Sequence, residues 1–128
     1  MRTLKKVLVV EDDQAFRTVL SETLEAEGIT VFKAADGKTG LDLAIKEHPD
    51  LIWVDVVMPV LTGLQFIKEL RKDVWGKTAC IVLLTQLHNP TVVADALENG
   101  VFKYFVKADH SVEDVIAETK KYFASLPY

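Results

Sequence analysis

The sequence predicts an α/β fold, a doubly wound five-stranded parallel sheet with five helices. Two observations lead to it. Short β-branched runs alternate along the chain with segments in which apolar residues recur at helical spacing. Four of the five runs are nearly continuously apolar, as strands are when helices cover both faces of the sheet. With 128 residues and 49% hydrophobic content, we expect residues 1–128 to form a single domain with a substantial core.

Five runs have the composition of strands. In chain order these are Val7–Val10, Thr30–Ala34, Leu51–Val54, Cys80–Leu84 and Lys103–Val106. The second run mixes polar and apolar residues, which predicts an edge strand. The other four are predicted to be central.

The segments between and after the strands predict helices, because their apolar residues fall on one helical face. In chain order these residues are Phe16, Val19, Leu20, Thr23 and Leu24; Leu41, Ala44 and Ile45; Phe66, Ile67 and Leu70; Val92, Val93, Ala96 and Leu97; and Val112, Val115, Ile116, Thr119 and Phe123. Residues typical of helix ends agree with these boundaries. They are Asn89 before Pro90, the pair Ser111 and Asp114, and the glycines Gly28 and Gly100.

Composition excludes several classes of protein. A net charge of -4 and a pI near 5.3 disfavour non-specific binding to nucleic acid or to an anionic membrane. The single cysteine, Cys80, provides no disulfide framework and indicates a reducing compartment. No apolar stretch approaches the length of a membrane span, and the first apolar run is too short for a signal peptide. We therefore expect a cytoplasmic protein.

Acidic residues follow two of the predicted strands. Glu11 and Asp12 come directly after the first strand, and Asp55 ends the third within the apolar run LIWVDVVMPV. In the common strand order 2-1-3-4-5 these strands are neighbours, so their carboxyl ends meet at one edge. Two carboxylates ~4 Å apart repel by roughly 4 kcal/mol at an effective dielectric near 20, so the cluster requires a cation or raised pKa values. Its oxygen ligands suit Mg²⁺. Asp13 is more simply a cap for the following helix.

A hydroxyl and an ammonium are predicted at the same edge. Thr85 ends the fourth strand and Lys107 ends the fifth. A divalent cation, a carboxylate, a hydroxyl and a lysine are the groups that in-line phosphoryl transfer to a carboxylate requires. The pattern indicates a site for that chemistry.

The sequence resembles the receiver domains of two-component response regulators over essentially its whole length. The resemblance is carried by VVEDD after the first strand, DVVMPVLTG around Asp55, LLT ending at Thr85 and YFVK ending at Lys107, in the family's usual order and intervals. It implies the flavodoxin-like strand order 2-1-3-4-5 of single-domain chemotaxis regulators.

The resemblance also implies roles for individual residues. Asp55 corresponds to the phosphoacceptor, which attacks a phosphohistidine. Asp12 corresponds to a direct Mg²⁺ ligand and Glu11 to one that more often binds the ion through water. Asp55 and the main-chain carbonyl of Val57 correspond to further ligands.

Thr85 and Lys107 correspond, with Asp55, to the catalytic residues, and Thr85 and Tyr104 correspond to the switch. Thr85 and Lys107 would contact the new phosphoryl group, and Tyr104 would swing inward when Thr85 moves. The partners implied are a sensor histidine kinase or histidine phosphotransfer protein and a downstream protein target, without direct nucleic-acid binding or membrane insertion. We expect a signalling domain that catalyses its own Mg²⁺-dependent phosphorylation and dephosphorylation, rather than a conventional enzyme.

The chain departs from the family pattern at several positions. Ala108 follows Lys107 where the family usually has proline, and a cis bond to a non-proline residue costs ~3 to 4 kcal/mol. We therefore expect a trans link and a reshaped loop through residues 109 and 110. Gln86 replaces a small residue after Thr85. Val57 and Leu87 are apolar at positions that commonly flank the attacking water, which predicts a long-lived phosphorylated form.

Two other functions stay open. A receiver-like interaction module that has lost phosphorylation is compatible with Ala108 and Gln86. A phosphatase with an aspartyl-phosphate intermediate would place a second aspartate two residues after the nucleophile, where this chain has Val57. A nucleotide-binding function is disfavoured because the chain lacks a glycine-rich phosphate loop.

Overall fold

The computed structural model describes residues 5–86 and 89–126. Within these residues, five strands alternate with five α-helices. The elements are β1 (Lys6–Val10), α1 (Gln14–Ala26), β2 (Thr30–Ala34), α2 (Gly37–Glu47), β3 (Leu51–Asp55), α3 (Gly63–Leu70), β4 (Ile81–Thr85), α4 (Pro90–Glu98), β5 (Lys103–Val106) and α5 (Val112–Ser125). Short 3₁₀ helices span Gly76–Thr78 and Lys107–Asp109.

The strands form one parallel sheet in the order β2-β1-β3-β4-β5, which confirms the predicted topology. The strand register aligns the carboxyl ends of the central strands, since Val10 pairs with Val54 and Asp55 pairs with Leu84. The residues that follow β1 and end β3 and β4 therefore meet at one edge of the sheet.

Two core clusters lie on the two faces of the sheet, because successive strand side chains point in opposite directions. On one face, Leu8, Val10, Ile52 and Val54 pack with apolar residues of α2, α3 and α4. On the other face, Val7, Val9, Trp53 and Leu84 pack with α1 and α5. Both clusters are made of fully or nearly fully buried side chains, so the strands whose carboxyl ends carry the acids are packed on both faces of the sheet.

The predicted helix ends are confirmed. Asp13 caps α1, accepting from the Phe16 N–H, and Asn89 caps α4 ahead of Pro90. Ser111 and Asp114 form a capping box at α5. Gly28 and Gly100 follow helix ends with positive φ angles, of 83° and 81°, a backbone region that favours glycine.

The predicted role of β5 as a central strand is wrong. Lys103–Val106 is the second edge of the sheet, and its residues are only partly buried or exposed. The apolar residues of β5 pack against α5, and β5 has a neighbouring strand on only one side. β4 begins at Ile81, one residue later than predicted, and β3 extends to Asp55.

Three residues predicted on the core faces of helices are substantially exposed. Val19 is 49%, Ile45 40% and Leu97 47% exposed. Each lies at the margin of the apolar face of its helix. Helical spacing alone does not show whether a residue at that margin contacts the core or faces solvent. None of the helices in the described residues is long and apolar enough to cross a membrane.

Arg71, which ends α3, binds four main-chain carbonyls. Its Nε donates to Asn99 O at 2.8 Å, and its Nη2 donates to Gly100 O at 2.9 Å. Nη1 donates to Gly76 O at 2.7 Å and to Ala79 O at 2.8 Å. The guanidinium thus joins the carboxyl-terminal ends of α3 and α4 to the segment that leads into β4.

Candidate functional site

The structure brings three acidic residues together at the carboxyl edge of the sheet. Glu11 follows β1, and Asp55 ends the neighbouring β3. Glu11 is fully buried and Asp55 is 3% exposed, whereas Asp12 is exposed. One carboxylate oxygen from each of the three lies within 4.8 Å of the others. This is the cluster expected from the strand order.

Glu11 is the acid most perturbed by this environment. Burial raises its pKa to about 7, and the nearby Asp55 carboxylate adds to the rise. The Lys107 ammonium and the Asp13 N–H, which donates to Glu11 Oε2 at 3.0 Å, oppose it. Without a cation, the pKa of Glu11 therefore lies near neutral pH, and the carboxylate beside Lys107 is only partly ionised there.

Asp55 has one paired and one unpaired oxygen. Its Oδ2 lies 3.4 Å from the Lys107 Nζ. Its Oδ1 is buried and has no hydrogen-bond partner among the residues that the structure describes. A buried carboxylate oxygen without a partner is costly, and a bound cation would satisfy it. Hard oxygen donors in this arrangement fit Mg²⁺.

Lys107 reaches the acids from the carboxyl end of the edge strand β5. It begins the 3₁₀ turn directly after β5, and its ammonium forms an ion pair with Glu11 Oε1 as well as with Asp55. The side chain is only 11% exposed. The peptide link to Ala108 is trans, in agreement with the expectation.

The loop after Lys107 is fixed by His110. The imidazole packs against the Phe105 ring with a centroid separation of 4.6 Å, and its Nδ1 lies 3.4 Å from Asp114 Oδ2. Asp114 is itself part of the capping box of α5. The loop lacking the usual proline is therefore ordered through side-chain contacts.

Thr85 ends β4 and is buried, one position beyond the residue that pairs with Asp55. A pocket of about 200 Å³ beside it is lined by Val56, Val57, Thr85, Gln86, Asn89 and Val92. Gln86 is exposed, and the Val57 side chain is 66% exposed. Leu87, for which the sequence predicted a role beside this pocket, lies outside the described residues.

Tyr104 lies on the edge strand β5, beside Leu83 of β4, and is 36% exposed. Its position is that of a partly exposed aromatic near Thr85, not of a core residue.

The loop from β3 to α3 contains features that the sequence reasoning missed. Val60 has a φ of 69°, and the Leu61 N–H donates to Pro59 O at 2.7 Å, which forms a γ-turn with positive φ. Gly63 begins α3 so close to the Asp55 carbonyl oxygen that an added Cβ would collide with it. The glycine in LTG was a visible signal for this close approach, whereas Val60 gave none.

Two residues of α1 also contact the site without having been predicted to. The Arg17 Nη1 donates to Glu11 O at 2.7 Å. The Phe16 ring, expected only to face the core, has the Lys107 Nζ 4.8 Å from its centroid.

Comparison with known proteins identifies the family. The model of the response regulator receiver domain matches residues 7–117. Sporulation initiation phosphotransferase F of Bacillus subtilis is 28% identical over 118 residues, covering 92% of this chain and 93% of that protein. The probable transcriptional regulator ycf27 of Cyanophora paradoxa is 39% identical over 103 residues. The match covers 80% of this chain and only 42% of that longer relative.

Solved structures agree in fold. Chemotaxis protein CheY4 of Vibrio cholerae has a TM-score of 0.85 and 33% identity, covering 93% of this chain and 98% of that one. The receiver domain of sensor histidine kinase PA1611 from Pseudomonas aeruginosa PAO1, described with a magnesium ion coordinated in its active site cleft, has a TM-score of 0.83 and 25% identity, covering 96% of this chain and 100% of that one. The chain therefore belongs to the response regulator receiver domains of two-component systems.

Proposed function

We propose that Asp55 accepts a phosphoryl group from a phosphohistidine of a sensor kinase or phosphotransfer protein, and that its phosphorylation switches binding to a downstream protein. One observation carries the assignment to Asp55. Its carboxylate is buried, has an oxygen without a hydrogen-bond partner among the described residues, and lies 3.4 Å from an ammonium. A purely structural aspartate would have no reason to remain partly unsatisfied in the core.

The transfer needs a nucleophile and charge partners. An Asp55 carboxylate oxygen forms the bond to phosphorus while the phosphorus–nitrogen bond of the phosphohistidine breaks, and the imidazole leaves with the electron pair. Lys107 then pairs with the new phosphoryl oxygens, and the Thr85 hydroxyl donates a hydrogen bond to one of them. The burial of both residues strengthens these interactions, because little water competes.

Glu11, Asp12 and Asp55, together with the Val57 carbonyl, would hold Mg²⁺. When bound, the ion supplies neutralisation of the charge on the phosphoryl oxygens. The magnesium ion described in the active site cleft of the PA1611 receiver domain supports a Mg²⁺ site in this chain. Asp12 is exposed and Glu11 is buried beside Lys107, so we assign direct coordination to Asp12 and a water-mediated contact to Glu11.

The same contacts have the magnitude of a switch. Charge-assisted hydrogen bonds contribute roughly 1.5 to 3 kcal/mol each, and inverting a 1:99 population takes about 5.5 kcal/mol. Contacts from Thr85 and Lys107 together approach that value. Tyr104, partly exposed on the neighbouring edge strand, is the side chain that we propose follows Thr85.

The geometry favours this function over an interaction module without phosphorylation. Ala108 does not draw Lys107 away from the site, since the ammonium still contacts both Glu11 and Asp55. Gln86 is exposed and leaves Thr85 buried at the end of β4. A phosphatase function lacks support, because the position for its general acid holds Val57.

The partner classes remain part of the proposal. Several longer relatives are transcriptional regulators, so the absence of direct nucleic-acid binding by this chain stays a prediction. Cys80 is a free thiol, which supports a reducing, cytoplasmic location.

The test is treatment with acetyl phosphate and Mg²⁺ followed by intact mass measurement. We expect one added phosphoryl group, absent from Asp55→Asn and retained in the control Asp42→Asn, which alters an exposed residue of α2. Equal labelling of Asp55→Asn would show that another residue is the acceptor. A wild-type protein that is never labelled would favour the module without phosphorylation.

A further inference from the structure

Phe16 is an aromatic residue of α1 on which the Lys107 ammonium rests. The Nζ lies 4.8 Å from the ring centroid, within the ~6 Å over which a cation is attracted to a ring face. The ring packs partly buried against the core cluster between the sheet and α1 and α5. We propose that Phe16 is a positioning residue for phosphoryl transfer, holding the Lys107 ammonium beside Asp55; this inference rests on the proposed function.

Hydrogen bonds connect the backbone of Phe16 to the segment from Glu11 to Asp13, which contains two of the three clustered acids. Asp13 Oδ1 accepts a hydrogen bond from the Phe16 N–H at 3.1 Å, and the Asp13 N–H donates to Glu11 Oε2 at 3.0 Å. The helix cap therefore links the ring to Glu11, the acid that is paired with Lys107. Asp13 thus connects the backbone of Phe16 to the Glu11 carboxylate.

A lysine side chain has four flexible carbons and about 2 kcal/mol of rotamer entropy to lose when it is held in place. In this chain Ala108, not proline, follows it, so the backbone of the loop supplies less restraint. The Glu11 carboxylate also attracts the ammonium and competes with Asp55 for it. The ring face adds attraction and excludes water without offering a directional acceptor.

That lack of direction matters for the reaction. The Nζ is 3.4 Å from Asp55 Oδ2, longer than the ~2.7 to 2.9 Å of a strong charge-assisted hydrogen bond. The ammonium therefore lies beside Asp55 without a strong hydrogen bond to it, and is free to shift toward a phosphoryl group added there. A π face can hold the cation throughout a short movement, whereas a carboxylate would have to release it.

The kinetic test is the rate of phosphorylation by acetyl phosphate at saturating Mg²⁺. Phe16→Leu keeps an apolar side chain and removes the ring, and we expect the rate constant to fall by about twofold to thirtyfold, the range that corresponds to the loss of a cation–π contact. Phe16→Tyr and Phe16→Trp keep a ring face, so we expect them to react at close to the wild-type rate. Phe123→Leu, which removes another partly buried ring of the same core cluster, should leave the rate unchanged.

A second measurement is independent of phosphorylation. In urea unfolding, Phe16→Leu, Lys107→Met and the double variant form a thermodynamic cycle. We expect the effect of Phe16→Leu on the unfolding constant to be about twofold to thirtyfold smaller when Lys107 is already absent. A packing role alone predicts equal effects in the two backgrounds.

The outcomes separate this inference from the function on which it rests. If the wild type is never labelled while the cycle shows coupling, the contact exists and the proposed function is wrong. If the wild type is labelled but Phe16→Leu reacts at the wild-type rate, or the aromatic variants react no faster than leucine, Phe16 does not position Lys107. A cycle without coupling overturns the inference by itself.

Discussion

Trp53 and Thr119 join the central strand of the sheet to the last helix through a buried hydrogen bond. The indole Nε1 donates to the Thr119 Oγ1 at 3.0 Å, and the hydroxyl in turn donates to Val115 O at 2.8 Å. Both residues are fully buried. Because Trp53 is two residues before Asp55, this bond ties α5 to the strand that carries the proposed phosphoacceptor.

Thr119→Val should destabilise the protein by about 1 to 3 kcal/mol, because it leaves the buried indole N–H without an acceptor. Thr119→Ser keeps the hydroxyl and should cost less than Thr119→Val. Urea unfolding followed by Trp fluorescence measures both free energies of unfolding. Equal costs for the two variants would mean that packing, and not the hydrogen bond, is what Thr119 contributes.

The raised pKa of Glu11 predicts a pH-dependent stability. Its ordinary value is 4.5 and its folded value is about 7, so between these values the unfolded chain releases a proton that the folded protein retains. The stability contributed by this group is present below pH 4.5 and is lost as the pH rises through 7. In the presence of EDTA, the free energy of unfolding should fall on the order of 2 kcal/mol more in the wild type than in Glu11→Gln between pH 5 and pH 8. The exposed Glu22→Gln is the control and should behave as the wild type.

Mg²⁺ binding should distinguish the two neighbouring aspartates. Asp12→Asn removes the charge of a proposed ligand and should weaken binding by about tenfold or more, while Asp13→Asn keeps a good helix cap and should have a small effect. Nuclear magnetic resonance titration with Mg²⁺ gives both affinities. A greater loss in Asp13→Asn than in Asp12→Asn would contradict the assigned ligands.

The positive φ of Val60 predicts that glycine is better accommodated there. Val60→Gly relieves a left-handed conformation that costs a side chain roughly 1 to 2 kcal/mol, and this offsets the added freedom of the unfolded chain. We expect a change in unfolding free energy between zero and about 1 kcal/mol in the stabilising direction. Val74 is equally exposed but has an ordinary φ, so Val74→Gly should destabilise by about 0.5 to 1 kcal/mol. If both variants lose the same stability, the turn is not strained.

The phosphorylated form should decay slowly. Hydrolysis needs a water in line with phosphorus, and the Val57 side chain beside the Thr85 pocket cannot hydrogen-bond to one. Val57→Asn should accelerate decay severalfold after the donor is removed, as should Leu87→Glu, a position outside the described residues. Decay that is unchanged or slower in both variants would show that water access at these positions does not set the lifetime. Gln86→Ala tests whether the exposed amide contributes to placing the water.

The sequence was sufficient to predict where the side chains of the candidate site lie wherever chain direction and strand order determine position. Asp55, Thr85 and Lys107 end or follow strands, and parallel strands bring such residues to one edge whatever their loops do. The contact between Phe16 and Lys107 could not be predicted in this way, because it depends on how far α1 leans over the end of β5. Val60 was missed for a different reason. Valine has no intrinsic preference for positive φ, and its conformation belongs to the turn that the Leu61 N–H closes on Pro59 O. The exposure of Val19 and Leu97 likewise depends on how much of each helix the neighbouring elements cover. The spacing of apolar residues in the sequence gives no information on this.

Arg71 binds the backbone just after the carboxyl-terminal end of α4, whereas the amino-terminal end of α4 lies beside the Thr85 pocket. Its guanidinium holds Asn99 and Gly100, just past the last turn of α4, against α3 and the entrance to β4. The first turn of α4 lies at the opposite end, where Asn89 and Val92 line the pocket beside Thr85. If Thr85 shifts toward a phosphoryl group as proposed, we expect α4 to tilt about its carboxyl-terminal end, which Arg71 holds. The displacement of the helix axis should be largest at Pro90 and decline toward Glu98, so a partner that detects the switch gains most by contacting the beginning of the helix.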